Sequence, residues 1–355
     1  MKILVIALSG IGDAVMFTPA LRILKQHYPT AEIDIVTMFR GVAEMYERLP
    51  DVSSVYLWDF LKKGKLDSLK FLGQLRSKKY DVSILVFPSN RWQYNVIAWM
   101  IGAKKRLGTD YLNLNAQSLP FLLTDRIQEN DDLHNVEENC KLVELLGVKI
   151  PQEIPPLQLV ITPADDSTTD SWLREHNIPT DKPIIGIHAG SAVFKNQINK
   201  RWAWEKYAEL SVQLHEKYDA TILLFGGPEE LELNENIALK ADGSALVVKT
   251  PSIMSSIALM KRCSLFVSND SGLMHIAAAL QLHVVSVFGY TSHIHTRPWT
   301  PNYEVVRHDL ECSPCFYFSP RPAQCQFSGE DEFKCIRRIE VEEVLKACER
   351  LMLRE

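Results

Sequence analysis

No apolar run in these 355 residues reaches the roughly 18 that a membrane-spanning helix needs. The opening stretch from Met1 to Ile11 carries one Lys and no cleavage-site pattern, so it reads as a buried strand rather than a secretion signal. An excess of one charge is missing too. The 39 Lys+Arg against 44 Asp+Glu leave a net charge of −5, where a nucleic-acid coat protein would show a basic surplus. Short repeats and low-complexity tracts are absent. With 46% hydrophobic and 23% charged residues the chain has the composition of a packed protein, which excludes disorder. The expectation is a cytoplasmic protein of about two domains that uses no nucleic acid and at most touches a membrane surface.

What is there is alternation. Lys2 to Leu8 is a continuous apolar run, the mark of a parallel strand buried on both faces. A helical pattern follows to His27, then strands at 32–37 and 81–87 and a helix at 92–102. Pro151, Pro155, Pro156 and Pro163 lie in a stretch of little periodicity, read as the join between domains 1–160 and 161–340. The alternation then restarts with strands at 183–188, 220–225, 264–268 and 283–288, helices at 204–218 and 273–280, and a last helix at 341–353. Strand, helix, strand in this rhythm gives parallel sheets, and ligands bind beyond the carboxyl ends of such strands.

Four segments at those ends carry candidate chemistry. Ser9-Gly10-Ile11-Gly12-Asp13 is a poor dinucleotide fingerprint: Val15 holds the place of the third glycine, and Thr37 stands where an acid should end the second strand. Asp13 is either a helix N-cap or a carboxylate able to take a proton from a hydroxyl. His188-Ala-Gly190-Ser191, followed by Lys195, Lys200 and Arg201, suits a phosphate. Asp270-Ser271-Gly272 opens a helix whose free N–H groups attract anions, and His275 lies in its first turns, as ligand neighbour or as core histidine. Gly226-Gly-Pro-Glu229-Glu230 puts carboxylates just past a strand, where ribose hydroxyls are read, or merely starts a helix.

Seven cysteines are distributed unevenly. Cys140, Cys263 and Cys348 read as small core residues, whereas Cys312, Cys315, Cys325 and Cys335 fall within 24 positions. The C-x-x-C pair is a metal knuckle and four thiols complete a closed structural site, zinc by default and iron as the alternative. Reduced, unliganded thiols are the bland reading.

In their order, Gly10-Ile-Gly-Asp13 with Thr18-Pro-Ala-Leu21, His188-Ala-Gly-Ser191, Lys200-Arg-Trp202, Gly226-Gly-Pro-Glu-Glu230 and Asn269-Asp-Ser-Gly-Leu-Met-His275 resemble glycosyltransferase family 9, the ADP-heptose:lipopolysaccharide heptosyltransferases. The resemblance implies an α/β GT-B fold, two Rossmann-like doubly wound domains facing a central cleft, with 1–160 binding the acceptor. It places the nucleotide sugar on 161–340, together with the cysteine cluster 312–335, and returns the helix 341–355 to the first domain. It implies inverting transfer of heptose from ADP-heptose to a lipopolysaccharide or other envelope glycan, at the inner membrane. Asp13 becomes the general base and Lys200 the second catalytic residue. Gly12, His188, Gly190, Ser191, Lys195, Glu230 (with Glu229 as neighbour), Asp270, Ser271, Gly272 and His275 become the donor set. No Asp-x-Asp motif ends a strand of the second half, so no catalytic metal is expected. A heptosyltransferase acting on protein and a sugar-nucleotide epimerase of the same fold are the alternatives, with a nucleotide-sugar-sensing module behind them. Cations at Arg40, Lys62, Lys63, Arg91, Lys104, Lys105 and Arg106 suit an anionic acceptor or a solvated face.

Overall fold

The structure is a computed structural model that describes residues 1–192, 194–316 and 324–353; the side chains of Asn115 and of residues 194–196 lie outside the described set. Contacts divide the chain into two compact units, the first ending at Val160 and the second running from Ile161.

The first unit is built on β1 (Lys2–Ala7), β2 (Glu32–Thr37), β3 (Ser54–Leu57), β4 (Val82–Leu85), β5 (Lys105–Asp110) and β6 (Asp125–Gln128). They form one parallel sheet in the order β3-β2-β1-β4-β5-β6. Ile3, Leu4, Val5 and Ile6 are wholly buried, as a central strand covered by helices on both faces must be. The helix anticipated up to His27 is two helices. Ile11–Met16 ends at Phe17, and Thr18–His27 restarts with Pro19 in its first turn, where a missing N–H costs nothing.

The second unit repeats the plan with β7 (Ile184–His188), β8 (Thr221–Leu224), β9 (Ala245–Val247), β10 (Leu265–Asn269), β11 (His283–Val287) and β12 (Tyr303–Val306). Its order is β12-β11-β10-β7-β8-β9, so both sheets wind outward in the same sense from a central pair, β1–β4 and β7–β10. The chain enters through the helix Pro163–Glu175. Thr162 caps that helix, its N–H donating to Asp165 Oδ2 at 2.8 Å.

One expectation is corrected here. The last helix, Val341–Met352, belongs to the second unit, because it packs on the helix Trp204–Tyr218 and on β10, β11 and β12. Val341, Val344, Leu345, Cys348 and Leu351 fall three and four apart and form one buried stripe. That stripe closes the same core as Trp202, Tyr207 and Ile339, which explains the choice of partner.

Candidate functional site

In a doubly wound sheet the loops at the point where strand order reverses are splayed apart and leave room for a ligand. That point lies between β1 and β4 in the first unit and between β7 and β10 in the second.

Three of the anticipated segments meet at the β7–β10 point. His188 ends β7 and is 3% exposed. Its Nε2 lies 3.0 Å from Glu230 Oε2 and its Nδ1 2.9 Å from Ser271 Oγ. Glu230 also accepts the Gly227 N–H at 3.0 Å and faces Arg201 Nη2 at 3.4 Å. Burial works against its charge, yet the His188 hydrogen bond and charge, the Gly227 N–H and Arg201 together hold its carboxyl below the usual range. Of the two adjacent acids, Glu230 is the buried one and Glu229 is exposed. Gly190 is required here: a Cβ at that position would stand 1.7 Å from Glu230 Oε1.

Lys200 Nζ reaches Asp270 Oδ2 at 3.0 Å, with the side chains only 14% and 8% exposed. Burial raises the Asp270 carboxyl, but the Lys200 ammonium beside it outweighs that and holds the group below its usual range. Asp270 is thus an ion-pair partner, not a helix cap. Ser271 stands at the N-cap position of Gly272–Ala279 without capping it; its hydroxyl contacts His188 and Ser268 Oγ, the latter at 2.9 Å. His275 is buried, its Nδ1 has no partner, and burial brings its pKa down to about 4, so it is neutral at pH 7. Ser191, expected to donate to a ligand, donates to Gln197 O at 3.0 Å while Arg201 binds its carbonyl at 2.6 Å. The side chain of Lys195 lies outside the described residues.

Sequence reasoning gave Asn269 no role. It is fully buried at the end of β10. Its Nδ2 donates to Ala189 O at 2.8 Å and Gly190 O at 3.1 Å, while its Oδ1 accepts from Trp202 N and Tyr207 OH, each at 2.9 Å. One amide therefore ties together the loops bearing His188, Lys200 and Asp270. The available signal was an amide ending an otherwise apolar strand, since a buried amide must find partners.

At the β1–β4 point the N-cap reading of Asp13 fails. Gly10 holds the N-cap position of Ile11–Met16, while Asp13 lies inside the first turn, half-buried, beside a buried Gly12. Tyr46, whose hydroxyl donates to Ala14 O at 2.8 Å, and Tyr94 both feel its charge: burial first, then Asp13, pushes each phenol up. Ser9 Oγ donates to Pro88 O at 2.8 Å and so joins the loops after β1 and β4. Behind them stands an unanticipated polar group. Glu129 and Glu138 are buried, and Glu138 Oε2, Thr109 Oγ1 and both amide atoms of Asn135 have no partner. Burial, with Asp131 and Glu138 nearby, brings Glu129 up to about 7.

Cys312, Cys315, Cys325 and Cys335 line a single pocket with Tyr290, Phe327 and Phe333. The backbone N–H groups of Cys315 and Phe316 donate to Tyr290 O at 3.0 and 3.2 Å, which fastens the cluster to the loop after β11. Burial and the neighbouring thiols raise Cys315 and bring Cys335 up to about 11. Among the described residues no set of three His, Cys, Asp or Glu stands in ligand geometry.

Comparison with known proteins agrees with this layout. The sequence model of glycosyltransferase family 9 (heptosyltransferase) matches residues 68–322. Lipopolysaccharide heptosyltransferase 2 of Salmonella typhimurium is 30% identical over 323 residues, covering 86% of this chain and 88% of its own. The Escherichia coli protein of the same name is 28% identical over 326 residues, with the same coverage of 86% and 88%. Among solved structures, E. coli ADP-heptose lps heptosyltransferase II superposes with a TM-score of 0.76 at 24% identity, over 99% of each chain. E. coli heptosyltransferase WaaC with ADP-2-deoxy-2-fluoro heptose gives 0.69 at 20%, again over 99% of each. The iron-containing dodecameric glycosyltransferase TibC of enterotoxigenic E. coli gives 0.59 at 13%, over 99% of this chain and 78% of its own. The likeness to the heptosyltransferase structures identifies the α/β fold as GT-B. With the family model covering well over half of its length and both sheets carrying the motifs at their strand-order reversals, the chain belongs to glycosyltransferase family 9 and is a glycosyltransferase.

Proposed function

We propose that this enzyme moves heptose from ADP-heptose to a hydroxyl of lipopolysaccharide core or a related envelope glycan, with inversion at the anomeric carbon. One observation carries the reading. Each unit keeps its reactive groups at its own strand-order reversal, the Asp13 carboxylate in the first and a cationic set with a helix N-terminus in the second. The relatives named above act on lipopolysaccharide, and WaaC holds an ADP-heptose analogue.

The chemistry follows from those groups. Asp13 accepts the proton of the acceptor hydroxyl as its oxygen bonds to the anomeric carbon. The bond from that carbon to the diphosphate oxygen breaks on the opposite face, and its electron pair leaves with ADP. Lys200, Arg201 and the N–H groups opening Gly272–Ala279 stabilise the charge that develops there. His188 and Glu230 orient the nucleoside end. Asp13→Asn removes the base and keeps the shape. Acceptor-dependent ADP release should fall by about 10²–10⁴, while the thermal shift given by ADP stays at the wild-type value. A near-wild-type rate would remove Asp13 from the mechanism.

Four thiols around one pocket are the donor set of a closed structural site, and the reading extends to zinc or iron held by Cys312, Cys315, Cys325 and Cys335. The metal would supply a cross-link. Elemental analysis of protein purified under reducing conditions should find about one metal per chain, lost in Cys312→Ser/Cys315→Ser. Trace metal only, or metal retained by that variant, would refute it.

A further inference from the structure

Asp13 stands on a short support. The helix Ile11–Met16 is six residues long, and no side chain caps its start at Gly10. A helix of under two turns has little stability of its own, so its neighbours fix where Asp13 is held. The Tyr46 hydroxyl grips Ala14 O inside the helix, and Ser9 Oγ, just ahead of it, donates to Pro88 O at 2.8 Å.

Pro88 is held in turn from both sides. It has no N–H of its own to be pinned by. Before it, Phe87 N–H donates to Asn139 Oδ1 at 2.9 Å; after it, Ser89 N–H donates to the Tyr111 hydroxyl. Asn139 is wholly buried within the helix Asn135–Glu144, and its Nδ2 donates to Asn135 O at 2.9 Å and faces Phe87 O at 3.4 Å. That helix packs on Ile11–Met16, on Thr18–His27 and on β5 and β6. Asparagine is a poor helix former, and an apolar side chain would fill the same space with no polar atoms to satisfy. Packing alone therefore does not account for it. The second unit has a counterpart in Asn269, since β10 pairs with β7 as β4 pairs with β1. Each strand-order reversal is pinned by a buried amide.

We infer that Asn139 is a positioning residue of the transfer reaction: through Phe87, Pro88 and Ser9 it sets the place of the turn that carries Asp13. The inference rests on the proposed role of Asp13 as base and extends it to a buried side chain that acts only through others.

Kinetics of Asn139→Leu with ADP-heptose and a truncated lipopolysaccharide core test it. Leucine keeps the volume and removes the hydrogen bonds. The kcat for acceptor-dependent ADP release should fall by about tenfold to a hundredfold, the cost of a displaced base. KM for ADP-heptose and the ADP-induced thermal shift should stay at their wild-type values. In the Asp13→Asn background the same substitution should change the rate by less than about twofold, because a residue that acts through the base then has nothing left to place. Ser9→Ala cuts the link at its other end without opening the core, and should lower kcat by about threefold or more in the same manner. Should Asn139→Leu not fold, Ser9→Ala is read by the same cycle. Without any substrate, amide hydrogen exchange of 10–16 should quicken by about fivefold or more in both variants, with 184–290 unchanged. A wild-type kcat in both variants, an undiminished effect in the Asp13→Asn background, or wild-type exchange at 10–16 would overturn the inference and leave the base assignment standing. A near-wild-type rate in Asp13→Asn alone would overturn the base assignment, and the inference with it.

Discussion

At the residue scale, two buried titratable groups tilt stability in opposite directions with pH. His275 has its pKa brought from 6.5 to about 4, so between those values the unfolded chain binds a proton that the folded one refuses. Its contribution is complete above about 6.5 and is lost as pH falls toward 4. Glu129 is raised from 4.5 to about 7, and there the folded chain holds the extra proton. That contribution is complete below about 4.5 and is lost as pH rises through 7. In thermal unfolding followed across pH 4–8, Glu129→Gln should flatten the decline toward neutrality. His275→Gln should flatten the decline toward acid. An unchanged pH profile in either variant would refute that assignment.

Individual residues also mark how far sequence reasoning reached. Asp13, His188, Lys200, Glu230 and Asp270 announce themselves as charged or titratable groups just past apolar runs. Asn269 and Asn135 do not, because an amide at a strand or helix end is also ordinary turn chemistry. Their importance lies in partners 79 and 80 positions away, or in having none.

At the element scale, the strands that were legible are the buried ones. β1, β2, β4, β7, β8, β10 and β11 are apolar runs covered on both faces. β3, β6, β9 and β12 are edge strands, and half-exposed positions leave them no continuous apolar signal. β5 is internal but reads Lys-Arg-Leu-Gly-Thr-Asp, so its neighbours rather than its composition make it a strand. The break at Phe17 was hidden by apolar periodicity that continues through it.

The turn after β7 offers a direct test of this scale. Gly190 leaves room for the Glu230 carboxylate, and Gly190→Ala would drive a methyl into a group pinned by His188, Gly227 and Arg201. Displacing a buried, paired carboxylate costs on the order of 3–5 kcal/mol. The variant should lose stability and weaken nucleotide binding together, read as a lower Tm and a smaller ADP-induced shift. A wild-type ADP shift would mean that Glu230 does not shape the site.

At the scale of the whole molecule, the two sheets have separate cores and the last helix seals the second. A ligand that binds one unit stabilises that unit by mass action and leaves the other to its own balance. ADP should therefore slow amide hydrogen exchange within 184–290 and leave β1–β6 at their ligand-free rates. Equal protection of both units would place the nucleotide elsewhere.

The four contacts of Asn269 have a consequence for binding. Because one buried amide bridges three loops, their mutual spacing is set before any ligand arrives. Under the proposed function, an incoming diphosphate then loses little affinity to ordering protein, and more of its interaction energy remains for the point at which the glycosidic bond is stretched.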